Sequence, residues 1–174
     1  MYTVCKENMK YLIPAIEQLN NLGIPQIDFA RVALKGGAGD MERIEPKEYR
    51  HLLNDVYHLE KRLGKDSISV GKKDPLWKLL YYEKGELAEK DISDIRKNKK
   101  IISGCPCGFT SLTVLQDGRL DICSRFDSTI ALLPENDIFK EYNEHFKLKK
   151  IRNPLMIEGC AICKLKYLCR GCPA

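Results

Sequence analysis

The sequence has no apolar run approaching the roughly 18–20 residues that a membrane-crossing helix requires, so no membrane partner is expected. Its first dozen residues, MYTVCKENMKYL, lack the basic and then apolar regions of a secretory signal, which points to a cytoplasmic location. The only glycine-rich loop, KGGAGD at 35–40, matches neither the dinucleotide-binding glycine pattern nor a phosphate-binding loop. Histidine is scarce, at three residues. Two of them, His51 and His58, are seven apart on one side of an expected helix and read as exposed helix residues rather than metal ligands. The basic runs RKNKK at 96–100 and KLKKIR at 147–152 have no interleaved aromatics, so no nucleic-acid partner is expected. They read as solvated faces, with a docking patch for an acidic peptide or acidic redox partner as the other reading.

What remains is ordinary globular composition: 174 residues, 44% hydrophobic, 30% charged, net charge +5. This length buries one good core, or one core and a small satellite. Cysteine is the exception. Eight residues are many for a cytosolic chain, where thiols stay reduced and clustered cysteines are more often metal ligands than disulfides. Cys5 stands alone and reads as a buried strand residue; the other seven lie between 105 and 172.

The first hundred residues alternate strands and helices. A strand is expected at YTVC (2–5), then a helix with Pro14 in its first turn and Ile16, Leu19 and Leu22 on one face, closed by Gly23. Ile27 and Phe29 mark a second strand. Pro46 follows Glu45 at the start of the most regular helix, whose apolar stripe is Tyr49, Leu52, Leu53, Val56, Leu59 and Leu63, with Gly64 ending it. SISV (67–70) reads as a third strand and DPLWKLL as a further helix start, with Trp77 as core. Strand–helix–strand–helix–strand argues for parallel pairing. Three strands cannot close a barrel, so the expected fold is α/β, a partial (β/α) barrel over 1–100. From about residue 101 the pattern changes. SLTVLQDGRLDIC (111–123) alternates apolar and polar residues around Asp117-Gly118, a strong hairpin signal, with Cys105 and Cys107 before it and Cys123 at its end. The segment 138–174 mixes a short amphipathic helix with the remaining cysteines.

The closing stretch CAICKLKYLCRGCPA spaces its thiols C-x2-C-x5-C-x2-C. A C-x2-C turn lets two sulfurs reach one metal, and thiolates select zinc or iron–sulfur clusters. Spacing alone leaves both open. Seven clustered cysteines are too many for one tetrahedral zinc and fit two sites on a small scaffold.

CPCGFTSLTVLQDGRLDIC followed by CAICKLKYLCRGCPA resembles the SPASM domain of radical S-adenosylmethionine (SAM) enzymes. The resemblance covers 101–174, with Cys107, Gly118 and Cys123 at the family spacing in the first half and Cys160, Cys163 and Cys169 in the second. It implies one or two auxiliary [4Fe–4S] clusters: Cys105 or Cys107 (or both), Cys123 and Cys172 on the first, and Cys160, Cys163 and Cys169 on the second. The second cluster's usual downstream fourth cysteine does not follow here. Residues 1–100 also resemble the later strands of a radical SAM barrel, which makes Arg31 a candidate to face SAM or substrate in a complete barrel.

The C-x3-C-x2-C loop that binds the SAM-cleaving cluster is absent. The resemblance therefore implies the C-terminal part of a maturase acting on a peptide or protein, dependent on SAM only as a complete enzyme, inactive alone and without catalytic residues of its own. Flavodoxin or ferredoxin is the implied redox partner. The alternative is a zinc-stapled, non-enzymatic binding module.

Overall fold

A computed structural model describes residues 1–64, 66–72, 74–87, 93, 97, 104–169 and 171. The chain divides into two compact units, Met1–Leu80 and Tyr81–Ala174. The boundary expected between 100 and 101 lies outside the described residues.

The first unit is built on three parallel strands, β1 (Tyr2–Val4), β2 (Gln26–Arg31) and β3 (Ser69–Gly71), in the order β1-β2-β3. Tyr2 stands beside Phe29, and Ile27 beside Val70. Parallel neighbours cannot be joined by tight turns, so helices α1 (Leu12–Asn21) and α2 (Pro46–Leu63) occupy the connections. Pro14 is the third residue of α1, where its missing N–H breaks no helical bond. Helix α2 opens with a reciprocal cap, in which the Glu45 and Glu48 side chains each accept from the other's backbone N–H, and Pro46 stands at its first position. The expected stripe faces inward: Tyr49, Leu52, Leu53, Val56 and Leu59 are buried, and Leu63 is half-buried.

Trp77, on α3 (Leu76–Glu83), is buried edge-on against Phe29. Cys5 is buried as expected, one residue beyond β1. Two readings need correction. Leu22 is 68% exposed, because α1 stops at Asn21 and Leu22 belongs to the turn rather than to the apolar face. The third strand begins at Ser69, since the Ile68 N–H is taken by the Asn20 side-chain oxygen at 3.0 Å rather than by a neighbouring strand.

Arg31 lies at the end of β2, and its Nε donates to Asp74 Oδ2 at 2.9 Å while its guanidinium stacks 4.8 Å over the Tyr49 ring. The Tyr49 hydroxyl donates to the same carboxylate oxygen at 3.1 Å, and burial followed by the Asp74 charge pushes the phenol's pKa above its ordinary value. Arg31 thus braces the strand end. His51 and His58 are exposed on α2.

The second unit carries an antiparallel sheet of β4 (Thr113–Val114), β5 (Arg119–Asp121) and β6 (Thr129–Leu132), in that order. Asp117-Gly118 makes the expected turn. Gly118 has φ +83°, and a Cβ there would stand 2.7 Å from the Leu133 carbonyl oxygen, so both conformation and space require glycine. Strand β6 was not expected. The single short helix expected is two, α4 (Ile138–Glu144) and α5 (Phe146–Arg152), the first capped by Asp137 accepting from Phe139 and Lys140 N–H. Leu120, Ile122, Ile130, Ala131 and Leu148 form the core, with Cys107, Leu112, Leu133, Tyr142 and Ile151 packed against it.

Of the basic run at 96–100 only Lys97 is described, and it is exposed. The run at 147–152 is no uniform solvated face. Lys149 and Lys150 are exposed, but Lys147 Nζ donates to the Thr129 carbonyl at 2.8 Å and Arg152 is drawn inward. Among the described residues no helix is long and apolar enough to cross a membrane.

Candidate metal centre

The loop Cys105-Pro106-Cys107-Gly108 is folded by its own backbone. The Pro106 carbonyl accepts from Phe109, Thr110 and Ser111 N–H at 3.0, 3.0 and 3.3 Å, and Gly108 N–H returns to the Ser111 carbonyl at 2.9 Å. Gly108 has φ +76°, and a Cβ there would meet Leu148 at 3.1 Å and Ile122 at 3.2 Å. The loop is therefore pressed onto the core, and Cys107 with it.

Cys123 arrives from the other side, two residues past β5, and is buried. Its N–H donates to Ser128 Oγ at 3.1 Å, and that hydroxyl, itself 1% exposed, lies 3.1 Å from the Cys123 carbonyl oxygen. Beside it the buried Asp121 accepts from the Thr129 hydroxyl at 2.7 Å, tying β5 to β6 just before the cysteine. Cys105 and Cys123 are both close enough to the Cys107 thiol to act on its ionisation. Burial first, and then these two neighbours, push its pKa up to about 12.

The tail forms a second group. Cys163 N–H bonds the Cys160 carbonyl at 3.0 Å, closing the C-x2-C turn, and burial followed by the Cys163 charge raises the Cys160 pKa. Cys169 N–H bonds the Leu165 carbonyl at 2.8 Å, and Lys166 Nζ holds the Ala161 carbonyl at 2.7 Å. Gly171 brings the backbone back beside Cys160, since a Cβ there would lie 3.9 Å from Cys160 Sγ. Cys172 lies outside the described residues.

Two sulfurs accept backbone N–H bonds from two residues downstream: Cys123 from Arg125 and Cys163 from Leu165, both at 3.4 Å. Such bonds stabilise a thiolate and suit a metal-bound sulfur. All seven described cysteines, Cys5, Cys105, Cys107, Cys123, Cys160, Cys163 and Cys169, are free thiols. Among the described residues no three His, Cys, Asp or Glu side chains are already disposed as a cage for a single metal ion. Metal binding at Cys105, Cys107 and Cys123 would therefore require their side chains to rearrange and the Cys107 thiol to lose its proton.

Sequence reasoning did not find the supports of this site. Ser128 reads as one more loop serine. Arg152 is hidden in a basic run, and Tyr142 is one of eight tyrosines. Comparison with known proteins finds no family model, no curated protein and no solved structure that matches this chain.

Proposed function

We propose that this chain is the C-terminal part of a radical SAM maturase, carrying a SPASM-type domain that binds auxiliary [4Fe–4S] clusters and helps to modify a peptide or protein substrate. In this reading Cys105, Cys107 and Cys123, with Cys172, hold one cluster, and Cys160, Cys163 and Cys169 serve a second. The parallel strands β1–β3 belong to the barrel of such an enzyme. The carrying observation is that Cys105 and Cys123, from two separate chain segments, both lie near enough to the Cys107 thiol to raise its pKa.

The donor set fits an iron–sulfur group: it is all thiol, partly buried against an apolar core, and two of its sulfurs accept backbone N–H bonds. When bound, such clusters supply one-electron transfer or an iron that grips substrate. The chain's own part is to give up the thiol protons on loading, hold the sulfurs through the Gly108 and Ser128 contacts, and keep water from the core-facing side of Cys107. Without C-x3-C-x2-C, this chain is not expected to cleave SAM unaided. A flavodoxin or ferredoxin would serve as electron partner, in the cytoplasm.

The same N–H···S bonds suit zinc thiolate, which keeps the zinc-stapled binding module as the second reading. Anaerobic reconstitution with iron and sulfide separates the two. A brown protein with about four to eight irons per chain and matching sulfide supports the clusters. A colourless protein with stoichiometric zinc, unfolded by chelators, supports the module.

A further inference from the structure

Arg152 ends α5 and turns its guanidinium onto the cysteine loop. Its Nε donates to the Gly108 carbonyl at 2.7 Å, and its Nη1 donates to the Tyr142 carbonyl at 2.7 Å. The plane of the group stacks 4.1 Å over the Tyr142 ring, whose hydroxyl donates to the Phe109 carbonyl. The two carbonyls that follow Cys107 are thus both captured, one by α5 and one by α4.

The third nitrogen is different. Nη2 is buried, and among the described residues it has no hydrogen-bond partner. Nor does any carboxylate pair with Arg152 among them. A guanidinium is planar and always charged, and one Nη2 N–H runs parallel to the Nε N–H. With Nε committed to Gly108, Nη2 faces the same loop, the one that carries Cys105 and Cys107. A full positive charge with a spare, water-excluded donor therefore stands beside the loop that carries Cys105 and Cys107.

We propose that Arg152 is a positioning residue for this thiol site, and that its Nη2 donates to the anionic metal–thiolate centre formed there, raising that centre's reduction potential. The inference rests on the cluster reading given above. A nearby cation and an added hydrogen bond to sulfur both favour the reduced, more negative state. The clamp on Gly108 fixes the loop; the free N–H acts on what the loop holds.

The test is a redox titration of the anaerobically reconstituted full chain, as wild type, Arg152→Gln and Arg152→Lys, following the couple that disappears in Cys123→Ser. Arg152→Gln is expected to shift that couple to a more negative potential at wild-type iron content. Arg152→Lys, which keeps the charge but loses the fork of donors, is expected to shift it in the same direction by less. If Arg152→Gln does not fold, Arg152→Lys decides alone: a negative shift with full iron supports the proposal, and an unchanged potential overturns it. A merely structural arginine would lower iron content or stability and leave the potential of the loaded fraction where it was. Full iron with an unmoved couple in every variant overturns this inference alone. A wild-type chain that takes up no iron overturns the cluster reading and this inference with it.

Discussion

Cys123 lies close enough to Cys107 to raise that thiol's pKa, although Cys107 belongs to a loop before the hairpin and Cys123 follows its second strand. This proximity depends on two anchors at a distance. Gly108 lets the loop press onto Leu148 and Ile122, and Ser128 fixes the backbone of Cys123. Cys107 packs against the core of this unit, and Cys123 is buried one residue past the core residue Ile122.

If the two cysteine groups serve two clusters, their losses are separable. Cys123→Ser is expected to lower the iron of the reconstituted chain by about half, and Cys160→Ser to remove the other half, the double variant retaining almost none. Iron and sulfide analysis of the three proteins checks this. Loss of all iron in either single variant would mean one shared centre.

The Cys107 thiol gives the metal-free, reduced chain a pH dependence of known sign. Its pKa in the folded state is raised to about 12, mainly by burial, above the unfolded value of about 8.5. Such a group contributes stability that is fully present below the unfolded value and is lost as pH rises toward the folded one. The urea midpoint of the metal-free chain is expected to fall between about pH 8 and about pH 10, and Cys107→Ser to flatten that fall. A midpoint that rises over this range contradicts the assignment.

Two glycines with similar backbone angles should respond differently to alanine. Gly159 has φ +75° with nothing within 4 Å of an added Cβ, so Gly159→Ala meets only the left-handed penalty of about 1–2 kcal/mol. Gly108→Ala meets that penalty and crowding against Leu148 and Ile122, about 1–3 kcal/mol more. Urea unfolding measures both, and equal losses would show that the loop does not press on the core.

Asp74 anchors the first unit in a comparable way. One oxygen accepts from Arg31 and Tyr49, the other accepts Leu76 N–H at 3.0 Å, and its side chain is 7% exposed. Asp74→Ala strands these donors, and because Arg31 is partly exposed the expected loss is about 2–4 kcal/mol. Glu17→Ala, which breaks only the surface pair with Arg62, should cost no more than about 1 kcal/mol. Comparable losses in the two variants would contradict the bracing role.

The features legible in the sequence are those with local signatures. Helix α2 announces itself through Pro46, its stripe and Gly64, and the hairpin through Asp117-Gly118. Parallel strands follow from the alternation of elements. Strand β6 went unread because four residues, Thr129–Leu132, show too little alternation to stand out, and its pairing with β5 carries an irregularity at Leu120/Asp121. The division of 138–152 into two helices turns on His145, whose extended backbone caps the second. Arg152 was illegible for a different reason. Its role is set by contacts with Gly108 and Tyr142, and nothing local separates it from Lys149 and Lys150. The seven clustered cysteines were visible from spacing alone, whereas the influence of Cys105 and Cys123 on Cys107 required the fold.

The most direct measurement is the metal content of the chain isolated without oxygen from cells grown in ordinary medium. Iron and acid-labile sulfide in equal amounts, lost when Cys105, Cys107 and Cys123 are replaced together by serine, is the expected result. Zinc at one or two equivalents with no iron, unchanged in colour or content by added sulfide, would contradict it.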